Sequence, residues 1–161
     1  MALSKIPTDL VSGTLASSQL PAGSVLQVVQ VNATTSQSTA SASYVDATGL
    51  SLNITPSSAS NKILVMAHLE GAIGVSGVNT HAFFRVFRDS AITVVATSMR
   101  SYGYGGSGVY IAGSVAMTVL DAPNTTSPVN YKVQFLKQAG ANAYISGENG
   151  WSTLTVMEIA A

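Results

Sequence analysis

Residues 129–135 read VNYKVQF, and their side chains alternate. Val129, Tyr131, Val133 and Phe135 fall on one face, and Asn130, Lys132 and Gln134 on the other. A period of two, carried by β-branched and aromatic residues, is the signature of an antiparallel strand with one face in a core and one in water. The chain on either side repeats the theme. Upstream, 109–120 (VYIAGSVAMTVL) forms a long run closed by Asp121-Ala122-Pro123-Asn124. Downstream, Gly140 leads into 142–146 (NAYIS), and the GENG turn at 147–150 leads into 151–160 (WSTLTVMEIA).

Further out, residues 62–73 (KILVMAHLEGAI) are nearly apolar on both faces and are expected to form a central strand. The stretch 81–88 (HAFFRVFR) alternates, and Asp89-Ser90 joins it to 91–97 (AITVVAT) as a tight hairpin would. Ser43–Asp46 and LSLNIT at 50–55 read as two short runs, the second with Leu50, Leu52 and Ile54 on one face, followed by a turn cluster at 56–61. In 24–32 (SVLQVVQVN), Gln27 and Gln30 interrupt the valine register, which predicts a strand with a bulge. The Ser/Thr/Ala segment 33–43 reads as an edge strand or a loop. Nine or ten strands without an amphipathic helix predict an all-β fold, a jelly-roll-like antiparallel β-sandwich over 24–161.

Residues 1–23 differ. Pro7, Gly13, Pro21 and Gly23 punctuate them, and Leu3, Ile6, Leu10, Val11 and Leu15 follow no helical or strand period. They read as an extended N-terminal arm that lays its apolar side chains on another surface.

Composition narrows the function. Of 161 residues only 9% are charged, with seven Lys plus Arg against seven Asp plus Glu, while 22 Ser and 15 Thr make the surface hydroxyl-rich. Phosphate backbones are held by clustered Lys and Arg, so direct nucleic-acid binding is not expected. A neutral chain tends to self-associate, and so few lysines leave sheet edges unguarded, so an assembly is expected. Without cysteine there are no disulfides and no thiolate chemistry. The N-terminus has no unbroken apolar run of secretory type, and the longest aliphatic stretch, 63–67 (ILVMA), is far below the ~18 residues of a membrane span.

Motifs of catalysis do not assemble. GYGGSG at 103–108 matches GxGxxG, but a strand-like run follows it where a helix is needed, so it reads as a loop between strands. No GxSxG elbow occurs. Asp46, Asp89, Asp121 and Glu148 fall in expected turns, where aspartate serves as a hydrogen-bonding turn residue. His68 and Glu70 share one strand face and His81 begins another strand, a set read as structural rather than metal-binding. Arg85 and Arg88 beside Phe83, Phe84 and Phe87 are expected to pair with carboxylates such as Asp89 or Glu70. The sequons at Asn32, Asn53 and Asn124 mean little in so Ser/Thr-rich a chain. No enzyme and no cofactor are expected.

In combination, LPAGSVLQVV (20–29), LSLNITPSS (50–58), NKILV (61–65), FRVFRD (84–89), TTSPVNY (125–131) and STLTVMEI (152–159) resemble β-domains in virion proteins of tailed bacteriophages. IPTDL (6–10) with GTL (13–15) is similar to the lead-in before such domains in tail fibres. The resemblance implies a homotrimer displayed on a virion, without a cofactor. Tail-fibre versions usually end a long chain, whereas here the domain is nearly the whole sequence. That favours a capsid decoration (cement) protein bound to the major capsid protein, its arm gripping the shell through Leu3, Ile6, Pro7, Leu10, Val11 and Leu15. The alternative is a short tail-fibre or receptor-binding protein that offers Tyr102, Tyr104, Tyr110 and Trp151 to a host surface glycan.

Overall fold

The computed structural model describes residues 20–74, 80–88, 93–103, 110–140, 142–146 and 150–161. The arm candidates Leu3, Ile6, Pro7, Leu10, Val11 and Leu15 lie outside the described residues, as do Tyr104, Asp89 and Glu148. The described chain is all-β, with ten strands: β1 Val25–Ala33, β2 Gln37–Thr39, β3 Val45–Ile54, β4 Lys62–Gly74, β5 Thr80–Arg88, β6 Thr93–Gly103, β7 Tyr110–Asp121, β8 Val129–Ala139, β9 Asn142–Ile145 and β10 Ser152–Ile159.

Their pairing is nested. β5 pairs with β6, β4 with β7, β3 with β8 and β1 with β10, all antiparallel, so the chain is a long hairpin folded back on itself. Rolling that hairpin brings β10 beside β4 and β8 beside β5, which completes two sheets. One runs β1-β10-β4-β7 and the other β3-β8-β5-β6. This is the strand order of a jelly roll. The short β2–β9 pair extends the first sheet, β9 lying beside the far end of β4. The Ser/Thr/Ala segment thus contains both a loop and a three-residue edge strand.

The alternation seen first in the sequence builds the core. Val129, Tyr131, Val133 and Phe135 of β8 point inward, with Ala82, Phe84 and Val86 of β5 beside them. Ile63, Val65, Ala67 and Leu69 of β4 and Leu154 and Val156 of β10 face them from the other sheet. Phe84 and Phe135, register partners across β5 and β8, stack with ring centroids 6.4 Å apart.

Two expectations are corrected. The runs expected at 43–46 and 50–55 join in one strand, Val45–Ile54, because a register shift between Asp46 and Ser51 puts both Ala47 and Leu50 in the core. Gly49 takes φ +81° at that bulge, a conformation glycine adopts without a Cβ penalty. Second, Asp46 and Asp121 stand in strands and not in turns. β4 is central, as expected, between β10 and β7, and is buried on one face, with Met66, His68 and Glu70 exposed on the other.

Candidate interaction surfaces

Sheet β1-β10-β4-β7 turns one face outward. At one level of that face the register sets Val28 beside Met157, Met157 beside Leu64, and Leu64 beside Leu120, one apolar residue from each of the four strands. Val28 is 54% exposed and Leu120 58%. On one side of this row, Val25 and Ile159 are joined by Lys62. On the other, Met66, 40% exposed, stands between Thr155 and Thr118. Beyond it the face becomes polar, with Asn32, Thr153 and His68 in one row and Glu70 further along. Gln30 also points outward, and its Nε2 donates to Thr155 Oγ1 at 2.8 Å.

The opposite sheet carries a different surface. Arg85 lies over the Tyr44 ring at 3.8 Å from its centroid and 5.1 Å from that of Phe87, and its Nε donates to Gln134 Oε1 at 2.7 Å. Gln134 Nε2 in turn donates to Asp46 Oδ1 at 2.6 Å, and Lys132 Nζ donates to Asp46 Oδ2 at 3.0 Å. Burial opposes the charge on Asp46, but these two hydrogen bonds and the positive charges of Lys132 and Arg85 outweigh it, so the carboxyl titrates below its ordinary range. The planar cation sandwiched on aromatic faces is the arrangement that suits arginine. Every polar atom named is used within the cluster, so its first role is to hold β3, β8 and β5 together.

Two further carboxylates fasten the sandwich. Asp121, at the end of β7, accepts from Arg88 Nη1 at 2.7 Å and from the Tyr131 hydroxyl at 2.6 Å, linking β7 to β5 and β8 of the other sheet. Arg88 thus has a carboxylate partner, Asp121, while Glu70 is exposed on the outer face of the other sheet and Asp89 lies outside the described residues. Burial, reinforced by the hydrogen bond to Asp121 and its negative charge, pushes the Tyr131 phenol well above its usual pKa.

Glu158 of β10 is 0% exposed and has no cationic partner among the described residues. It is held by donors instead: Gln27 Nε2 at 2.6 Å on one oxygen, and Ser57 N at 2.7 Å, Ser57 Oγ at 2.8 Å and Asn61 Nδ2 at 2.6 Å on the other. Burial opposes its charge, yet the bonds from Asn61, Gln27 and Ser57 outweigh it and lower its pKa. The bulge between Val25 and Gln27 is what places Gln27 opposite Glu158.

The other candidates separate. His68 and Glu70 are exposed on the outer face of β4, while His81 is in β5 of the other sheet, so the three do not converge. Tyr102 lies in β6 opposite His81 and Tyr110 opens β7 opposite Gly74, so these two stand in the strands flanking residues 104–109. The GYGGSG stretch thus joins two strands, β6 and β7, one in each sheet. Trp151 is 63% exposed just before β10.

The apolar row escaped sequence reading. Its signal is the second apolar face of β4, Leu64 and Met66, which by itself says only that the strand is central.

No family model matches the chain, and no curated protein does. Among solved structures, the chain is similar to that of the infectious bursal disease virus Gx strain, at 16% identity and a TM-score of 0.45 over 84% of this chain and 32% of that one. It is also similar to the infectious bursal disease virus VP2 subviral particle, at 14% identity and a TM-score of 0.45 over 83% of this chain and 32% of that one. The chain thus spans about a third of the length of either. Likeness at this level carries no functional argument.

Proposed function

We propose that the protein is a structural component of a tailed-phage virion, a homotrimeric decoration protein on the capsid surface that stabilises the shell and is anchored to the major capsid protein by residues 1–23. The observation that carries this reading is the apolar row Val28, Met157, Leu64 and Leu120, exposed at its two ends and half-buried between them, on a chain with only 9% charged residues. Such a face is a cost to a free monomer and an asset to an assembly. The resemblance of residues 20–161 to phage virion β-domains supplies the setting. The test is deletion of residues 1–20. The shortened protein is expected to fold but to leave expanded capsids undecorated, and occupancy equal to that of the full chain would refute the anchoring role.

A second reading, a receptor-binding protein at the tail, is favoured by the exposed Trp151, since aromatic faces stack on sugar rings. Copy number separates the two. Hundreds of copies per virion mean decoration, and a few to a few dozen mean a tail.

A further inference from the structure

Single exposed apolar side chains are ordinary, but a row of apolar residues in register across four adjacent strands on an outward face is not. In a solvated antiparallel sheet the outward positions are polar. Gln30, Asn32, Thr153 and Thr118 obey that rule, and Val28, Met157, Leu64 and Leu120 break it together at one level. From this row and its neighbour Met66 we infer that three copies of the chain pack through this face about a common axis, with β10 and β4 nearest the axis and β1 of each copy beside β7 of the next. The inference rests on the reading of the protein as a homotrimer and specifies the surface that makes it one.

The charge of the face and the geometry of the row favour a copy of this chain as the occupant. The face offers nothing to steer an acidic or basic partner, since its two charged residues, Lys62 and Glu70, have opposite signs and stand on β4 on either side of Met66. An apolar row lying at one level across the strands meets the same row of another copy when the axis runs along the strands. Val28 at one edge then comes beside Leu120 at the other edge of the neighbour, which covers the two most exposed members of the row.

The width also fits three. Four strands at ~4.8 Å spacing make a face ~19 Å across, and three such faces enclose a triangular prism of inscribed radius ~5.5 Å, close to the ~5 Å that is half the usual distance between packed sheets. The interior is then filled by side chains of ordinary size. Lys62 and Glu70 stand towards the two ends of the prism, where they keep their water.

The absence of cysteine makes the test clean. A Met66→Cys variant treated with a short bis-maleimide should yield cross-linked chains, whereas Ser51→Cys, exposed on the other sheet, should not. Leu120→Lys, at a solvent-facing position, should keep the circular dichroism of the parent and sediment as a monomer. A trimer that persists in Leu120→Lys, with no cross-link through Met66→Cys, would overturn the inference and leave the homotrimer reading standing. A parent protein that is monomeric at all concentrations would overturn both, and a parent of two-chain mass would refute three-fold closure.

Discussion

Replacing Glu158 by glutamine tests whether a buried carboxylate without a cation can be a net fastening. In the parent, one oxygen accepts from Gln27 Nε2 and the other from Ser57 N, Ser57 Oγ and Asn61 Nδ2. The amide can keep its carbonyl towards Ser57 and Asn61, where charged hydrogen bonds become neutral ones of roughly half the strength. Its NH2 then meets Gln27 Nε2, donor against donor. Gln27 cannot turn its own amide to relieve this without giving up the bond to the Thr55 carbonyl at 2.8 Å. Hydrogen bonds to charged groups contribute about 1.5–3 kcal/mol each, so one lost and three halved remove about 4 kcal/mol at the low end; the smaller desolvation of a neutral amide returns part of it, for a net cost of about 3 kcal/mol. With a urea slope of roughly 2 kcal/mol/M, the unfolding midpoint at pH 7 should fall by about 1.5 M. The pH dependence supplies the second arm. Because the folded pKa of Glu158 lies below its ordinary value of 4.5, its contribution is fully present above that value and is lost as pH falls through the folded pKa. Asp46 also has a lowered pKa but is common to both proteins and cancels in the difference. The gap between parent and Glu158→Gln should therefore be widest near neutrality and narrow on acidification. Equal midpoints at pH 7, or a gap that ignores pH, would refute the reasoning.

Tyr131→Phe removes one of the two side-chain donors to Asp121 and should cost about 1–2 kcal/mol, seen as a fall of about 3–6 °C in the unfolding temperature. In the parent, the raised pKa of Tyr131 means that its contribution is complete below the usual phenol value of 10.0 and fades as pH rises beyond it; alkaline titration should show one phenol that ionises only with unfolding. Gly49→Ala would set its new Cβ 3.6 Å from Ala33 Cβ, an ordinary contact, so the cost is that of φ +81° for an alanine, about 1–2 kcal/mol in chemical denaturation. An unchanged midpoint would mean that the β3 bulge relaxes freely.

The strands were legible where one face is buried and the other wet. VNYKVQF announces β8 because each of its inward residues is apolar and its neighbours are not. Phase shifts were harder to read. Ala47 and Leu50 are three apart, so a strict period of two splits β3 at Gly49, and only the partner strand shows that a bulge restores the register. The Arg88–Asp121 and Gln27–Glu158 contacts were out of reach for another reason, since their partners lie 33 and 131 residues apart. Local rules assigned Asp121 to a turn and gave Arg88 a neighbour in sequence. For the outer face, periodicity showed that β4 has two apolar sides without saying what meets the second. That depends on Val28, Met157 and Leu120, which come together only once the sheet is ordered.

The nested pairing also bears on how the chain reaches this state. β5 and β6 adjoin in sequence and can meet early, but each outer pair closes a longer loop, ending with β1 and β10. β10 is hydrogen-bonded on both sides, to β1 and to β4. During synthesis β4 can pair with β7, but that sheet is completed only by the last strand, and until it arrives β1 has no partner in the sheet and β4 is bare along residues 62–68. The exposed strands of a half-made chain are a hazard to be outrun, and slow completion is the kinetic counterpart of the closure that later holds the two ends of the domain together.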